Sequence, residues 1–426
     1  MILLYRLLAL LVAPFALWRL QRPARRAKAF RGRWRERLGR VERTPAPVVW
    51  LHAASVGEVN AAQGLIRALL DRLGAERVLI STFTISGAER LEVMLGPDTV
   101  RHCFAPLDTR GAVRRWLRRI RPELAIVVET EIWPETFLQC REHHCPVVMV
   151  NARLTERSLH SMRRYRTLFA PALAAISRAA CQTEADAERL ASLGLDAERS
   201  VVTGNLKFDT PLPDDIGQRA RTLREQWGPR PAWVAGSTRP GEEAAVLEAH
   251  CRLREAFPEA LLILAPRHVE RVAEVLGEVE RFELRAQRIG ETVAADTAVV
   301  VVDRIGELLA CYAAAPAAFV GGSLVDIGGH NLLEPAAFGK AVLTGPYLYE
   351  QAESAHALRE AGALFEVSTA EELADQVDKI WREPQQALAA GRAALAVVEA
   401  GRGSVRRTLR ALQPWLPEPA AGRGGN

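Results

Sequence analysis

A chain of 426 residues with 49% hydrophobic and 25% charged residues has a globular composition, and its length exceeds what one ordinary core holds, so two domains of roughly 200 residues are expected. The net charge of +5 does not describe a nucleic-acid binder, because between Arg19 and Arg40 ten basic residues face the single acid Glu36, more than the whole excess. Six dispersed cysteines exclude a disulfide framework and fit a reducing cytoplasm; Cys140-x-x-His143-His144-Cys145 has no second ligand pair, so no zinc site is expected.

The chain opens apolar from Met1 to Trp18 except for Arg6. The arginines follow this run instead of preceding it, which argues against a cleaved secretory signal. The uninterrupted stretch from Leu7 to Trp18 is shorter than the ~20 residues a span needs, so an interfacial helix and a true span both stay open, with a tucked-in helix as the bland alternative. The basic residues behind it suit anionic lipid at a cytoplasmic membrane face. Residues 1–40 are therefore read as anchor and basic juxtamembrane segment.

Apolar, β-branched runs then alternate with segments of helical period, the pattern of parallel α/β sheets. Strands are expected at residues 48–52, 78–82, 124–128, 147–150 and 201–202, and again at 233–235, 261–264, 299–302, 318–320 and 341–343, with a helix at 59–73. This gives a first Rossmann-like domain over 41–208, a proline-rich linker over 209–231, a second Rossmann-like domain over 232–416 and a disordered tail over 417–426. Two such domains bind ligands at the carboxyl ends of their strands, where chemistry-bearing residues should gather.

After the first strand, Ser55-x-x-Glu58 reads as a capping box, or as a general base that a helix terminus would weaken by lowering its pKa. Glu129 and Glu131 follow the strand ending at Val128, as solvated acids or as a chelating pair. Arg153 and Arg157 suit phosphate or carboxylate, and Lys207 stands at the hinge. In the second half, Gly236-Ser237-Thr238-Arg239, Pro266-Arg267-His268 and the segment Gly321-Gly322-Ser323 to Glu334 all follow strands. Glycines there allow close approach of backbone to a ligand, and a helix opening at His330-Asn331 would favour an anion. No Walker lysine motif or dinucleotide fingerprint is present.

Taken in order, Ser55-Val-Gly-Glu58, Glu129-Thr-Glu131-Ile-Trp-Pro134, Asn151-Ala-Arg153-Leu, Gly204-Asn-Leu-Lys207-Phe-Asp209, Gly236-Ser-Thr, Pro266-Arg-His268, Gly321-Gly-Ser-Leu-Val and Asn331-Leu-Leu-Glu334 resemble the 3-deoxy-D-manno-octulosonic acid (Kdo) transferases over essentially the whole chain. The resemblance implies an α/β fold of GT-B type, two Rossmann-like domains facing across a cleft. It implies metal-independent, inverting transfer of Kdo from CMP-Kdo to a lipid A precursor, lipid IVA, at the cytoplasmic face of the inner membrane, with no cofactor and no nucleic-acid partner. By matching position, Glu58 would be the general base, and Glu129 with Lys207 would stabilise the transition state. Pro266, Arg267, Ile305, Gly306, Glu307, Asn331, Leu332, Leu333 and Glu334 would surround CMP. The rival readings are another GT-B nucleotide-sugar transferase, a non-hydrolysing sugar epimerase, or an inactive membrane-surface binding protein.

Overall fold

The computed structural model describes residues 1–24, 32–96, 98–209 and 212–418. Four of the basic residues expected on lipid, Arg25, Arg26, Lys28 and Arg31, lie outside the described residues, as do the linker residues Thr210 and Pro211 and most of the expected tail, 419–426.

Seven strands form the first sheet: β1 (Val48–His52), β2 (Val78–Thr82), β3 (Arg101–Phe104), β4 (Pro122–Val128), β5 (Val147–Ala152), β6 (Ile176–Cys181) and β7 (Ser200–Val202). Their order is β3-β2-β1-β4-β5-β6-β7 and every pairing is parallel. The second sheet holds β8 (Ala232–Thr238), β9 (Leu261–Pro266), β10 (Ala286–Arg288), β11 (Val299–Val301), β12 (Ala317–Val320), β13 (Ala341–Thr344) and β14 (Leu364–Glu366), in the order β10-β11-β9-β8-β12-β13-β14, again parallel. Helices cover both faces of such sheets, which is why the central strands read as unbroken apolar runs. β1 and β2 are buried at every residue.

Strands β3, β6, β10 and β14 escape the sequence reading because their apolar signal is weak. β3 (Arg-His-Cys-Phe) and β6 (Ile-Ser-Arg-Ala-Ala-Cys) carry polar residues, and β10 and β14 are three-residue strands, β10 and β14 both at sheet edges. The helix expected over 59–73 is two helices, Val56–Ala61 and Gln63–Leu73, separated at Ala62.

The two orders reverse direction between β1 and β4 and between β8 and β12, the crevices where doubly wound sheets take their ligands. The residues at or just after the carboxyl ends of these four strands are Ser55 to Glu58, Glu129 to Glu131, Ser237 to Arg239 and Gly321 to Ser323.

Two compact units result, Met1–Pro211 with Gly401–Asn426, and Leu212–Ala400. The sequence reading ran the second domain on to residue 416, whereas the chain returns to the first unit at Gly401. The helix Ser404–Leu412 packs Val405, Leu409 and Leu412 onto the first core. It has no side-chain cap of its own; Asp209 supplies one from a distance, accepting the Gly403 N–H at 2.7 Å and the Val405 N–H at 2.6 Å. Asp209→Ala is expected to lose about 2 kcal/mol of stability, two charge-assisted cap bonds, measured by denaturant unfolding.

Candidate active site

At the end of β1, Ser55 is the N-cap of the helix Val56–Ala61, and Glu58 stands in its first turn. The capping box forms with one change. Glu58 accepts a hydrogen bond from Ser55 Oγ at 3.1 Å, and its second oxygen takes the N–H of Ala54, one residue before the cap, at 2.6 Å. The carboxylate is 7% exposed. Burial above all, and then the nearby Glu131 charge, raise its pKa from 4.5 to about 8. The sequence expectation of a carboxylate weakened by a helix terminus is thus reversed: desolvation outweighs the bonds to Ala54 and Ser55.

Glu129 follows β4 with a left-handed backbone, φ 59°. Asn151 near the end of β5 and Ser237 at the end of β8 share that conformation, φ 53° and 58°. Non-glycine residues seldom adopt it, Asn and Asp more readily than most. Asn151 is buried and its Oδ1 accepts the Leu206 N–H at 2.9 Å, which fixes the short helix Leu206–Asp209 carrying Lys207. That helix touches the one bearing Glu58. Glu131 accepts from the Trp133 indole at 2.7 Å, and burial raises its pKa, Glu129 adding to the rise. Glu58, Glu129 and Glu131 thus form one acidic group at the β1/β4 crevice, with Lys207 on the adjoining turn. Beside it lies an apolar recess lined by Trp50, His52, Phe83, Glu131 and Trp133, in which the Phe83 and Trp133 rings stack at 5.8 Å. Arg153, half-buried after β5, accepts through its carbonyl a bond from the Thr130 hydroxyl, while Arg157 is exposed on the helix Glu156–Arg164.

The second unit gathers cations at the ends of β8 and β9. Arg239 donates from Nε to His330 Nε2 at 3.2 Å and is paired from Nη1 with His268 Nε2 at 2.7 Å. Burial, with Arg267 and Arg239 close by, lowers the His330 pKa to about 3, and burial lowers that of His268 too, so both rings are neutral and accept from the guanidinium. Arg267, half-buried after Pro266, donates its N–H to the Thr238 carbonyl at 3.0 Å. The sequence segments contained Arg239, His268 and His330, but only the fold brings both rings onto one guanidinium.

The glycine-rich turn after β12 departs from expectation. Its N–H groups are not open to a phosphate. Glu242, fully buried, accepts from Gly322 N at 2.7 Å, Ser323 N at 2.9 Å and Leu324 N at 2.8 Å, and from Arg239 N at 2.8 Å. The glycines make room for this carboxylate: a Cβ on Gly321 would fall 2.8 Å from Glu242 Oε2. The helix expected to open at His330-Asn331 is only Leu333–Ala336, and Asn331 Oδ1 already accepts the Leu333 N–H, so a helix dipole contributes little there. Leu332 and Leu333 are buried, main chain included. Asn331 donates to Glu334 at 3.4 Å, Ile305 and Gly306 are exposed, and Glu307 is ion-paired with Arg219 at 2.8 Å.

A family profile described as 3-deoxy-D-manno-octulosonic-acid transferase (kdotransferase) matches residues 32–210. Over 396 residues the chain is 36% identical to the 3-deoxy-D-manno-octulosonic acid transferase of Haemophilus influenzae, spanning 90% of this chain and 92% of that one. The chain belongs to the 3-deoxy-D-manno-octulosonic acid transferase family. The Kdo transferase of Bordetella pertussis is likewise 36% identical, over 92% of this chain and 95% of its own. Kdo transferases are glycosyltransferases, and the two parallel seven-stranded sheets are of GT-B-like class. UDP-GlcNAc 2-epimerase from Neisseria meningitidis shares the fold with a TM-score of 0.61, over 87% of this chain and all of that one, at 13% identity. That likeness concerns architecture alone.

Proposed function

We propose that this Kdo transferase moves Kdo from CMP-Kdo to a lipid A precursor, lipid IVA, in lipopolysaccharide biosynthesis, inverting the anomeric centre and using no metal, at the cytoplasmic face of the inner membrane. The observation that carries the mechanism is Glu58, whose pKa of about 8 makes it a base near neutral pH, held in place by the Ala54 N–H. Glu58 takes the proton of an acceptor hydroxyl as its oxygen bonds to the anomeric carbon, and the bond to the CMP phosphate breaks on the opposite face. Positive charge develops on the sugar ring, and Glu129 beside Glu58 meets it, as carboxylates do in glycosidases. Lys207 balances the carboxylate that Kdo carries at the same carbon. Separation of that carboxylate from the departing phosphate calls for cations, and Arg267 with Arg239 supplies them on the donor side. Pro266, Ile305, Gly306, Glu307, Asn331 to Leu333 and Glu334 surround the cytidine in this reading.

The test is incubation with CMP-Kdo and lipid IVA, followed by mass spectrometry of the lipid; an acceptor whose mass is unchanged would overturn the reading. Competition among CMP, UDP and GDP separates it from a transferase with another donor, CMP being the expected competitor. Arg267→Ala should weaken CMP binding ten- to a hundredfold by calorimetry, the loss of one charge-assisted contact to phosphate.

A further inference from the structure

The apolar N-terminal segment forms a helix, Ile2–Ala24, long and apolar enough over Ile2–Leu20 to cross a membrane. Its contacts argue for a different placement. Ile2, Arg6, Ala9, Ala13, Ala16 and Leu20 are half-buried, and at 100° per residue they fall on one narrow stripe. The partly covered stripe runs from Ile2 to Leu20, although no residue of the helix's apolar stretch is fully buried. Its neighbours are the helix Arg166–Leu173 and the short helix Arg33–Leu38. Leu3, Leu7, Leu10, Leu11, Phe15 and Trp18 are exposed away from that stripe, Leu3 by 75% and Leu11 by 68%. Three alanines lie in the stripe that faces the protein, with Ile2, Arg6 and Leu20 toward its ends, and large apolar side chains face outward.

Polar bonds fix the start of the helix. Tyr5 donates its hydroxyl to Asp108 at 2.6 Å, and Arg6 pairs with Glu135 at 2.7 Å, a carboxylate with no exposed surface. Asp108 in turn accepts the N–H groups of Glu135 and Thr136 at the start of the helix Pro134–Glu142, directly after Glu131 and Trp133. Beyond the anchor, buried Arg37 donates to the carbonyls of Phe83 and Ala105, in the wall of the aromatic recess. Both flanks of the apolar helix are thus tied to the same unit. A helix crossing the bilayer from this start would return the chain to Arg33 through hydrocarbon with Arg25, Arg26, Lys28 and Arg31 aboard, each strongly disfavoured there. Exposed basic side chains, Arg164 and Arg166 beside exposed Tyr165, occur at the start of the helix that packs against the anchor, matching the charge that follows the anchor in sequence.

We propose that the N-terminal helix lies flat in the interfacial plane of an anionic bilayer, held parallel to the surface by Tyr5 and Arg6 on the first unit, and does not cross it. The proposal rests on the membrane-bound reading above and sharpens it: the aromatic recess and its acidic neighbours sit at the level of the lipid headgroups, where an acceptor sugar on a lipid is presented. The partner is the lipid surface, met by the Leu3 to Trp18 face through burial of apolar area and by the arginines through charge.

The full chain, spin-labelled singly at Leu4→Cys, Leu11→Cys or Trp18→Cys in a Cys251→Ala background, is bound to vesicles of phosphatidylethanolamine with phosphatidylglycerol, and label depth is read from oxygen and nickel accessibility. Equal, shallow depths at the three positions are expected. A span makes depth change by about 1.5 Å per residue along the helix, and that gradient would overturn the proposal. Failure of the parent chain to bind the vesicles at all would instead sink the membrane reading beneath it. Omitting phosphatidylglycerol should weaken binding at least tenfold; unchanged binding removes the charge component. Arg6→Ala should spread the three depths without abolishing binding, and unaltered depths would show that the Glu135 pair does not set the helix's orientation.

Discussion

Glu58→Gln is expected to lower turnover by about 10²–10⁴-fold while CMP affinity stays within twofold. The amide keeps the shape, so its oxygen still accepts from Ala54 N–H and its nitrogen still reaches Ser55, but it takes no proton. The pH dependence makes the test specific. In the parent, kcat/KM should climb with pH and level off above about 8, because the base acts only when ionised. The variant should lose this limb along with the rate. Glu131→Gln should keep the limb and move it to lower pH, since the Glu131 charge is the second cause of the raised pKa. Stability moves in the opposite sense to activity. A carboxyl that holds its proton more tightly folded than unfolded, about 8 against 4.5, makes its contribution to stability fall as pH rises through that window. Glu58→Gln, neutral throughout, should therefore melt higher than the parent at pH 9, and show a smaller difference at pH 5. Near-normal turnover in the variant would remove Glu58 from the base role.

Much of the fold was legible because parallel sheets covered on both faces write themselves as continuous apolar runs, and β1, β2, β9 and β12 are such runs. Strands β10 (Ala-Gln-Arg) and β14 (Leu-Phe-Glu) were not, since they are as short as β7 but lack its β-branched pair Val201-Val202. At the site, the residues after β1, β4, β8, β9 and β12 were legible from their position alone. Their states were not. The pKa of Glu58 depends on burial and on Glu131, more than seventy residues away in sequence, and no local pattern carries that. The anchor was legible as apolar, but a helix apolar on every side hides which stripe meets protein; Arg6 was the visible exception, and Glu135 is the partner that explains it. The glycine-rich turn was misread for a related reason. Open N–H groups and N–H groups satisfied by a carboxylate elsewhere in the chain look alike in sequence.

That turn leads to the second large effect. Glu242→Ala should destabilise the second unit by about 3–5 kcal/mol, the range for removing one partner of a buried charged network. Four buried or half-buried N–H groups, those of Gly322, Ser323, Leu324 and Arg239, lose their acceptor together. The neighbours cannot close the gap. Ser323 is already committed, its hydroxyl donating to the Val320 carbonyl at 2.7 Å and accepting the Gly345 N–H at 2.8 Å. Gly322 is fixed by φ 69° against the His330 ring. For a unit of this size the loss corresponds to a fall in Tm on the order of 10 °C, read by calorimetry. Glu242→Gln separates charge from packing: its NH2 would meet N–H groups where an oxygen now accepts, so about 2–4 kcal/mol should still be lost despite equal volume. Because the same carboxylate holds Arg239 N and the turn beside His330, CMP affinity should fall in both variants at temperatures where the unit remains folded. An unchanged Tm in Glu242→Ala would mean that the N–H groups of Gly322, Ser323 and Leu324 find other acceptors, and would remove Glu242 from this stabilising role.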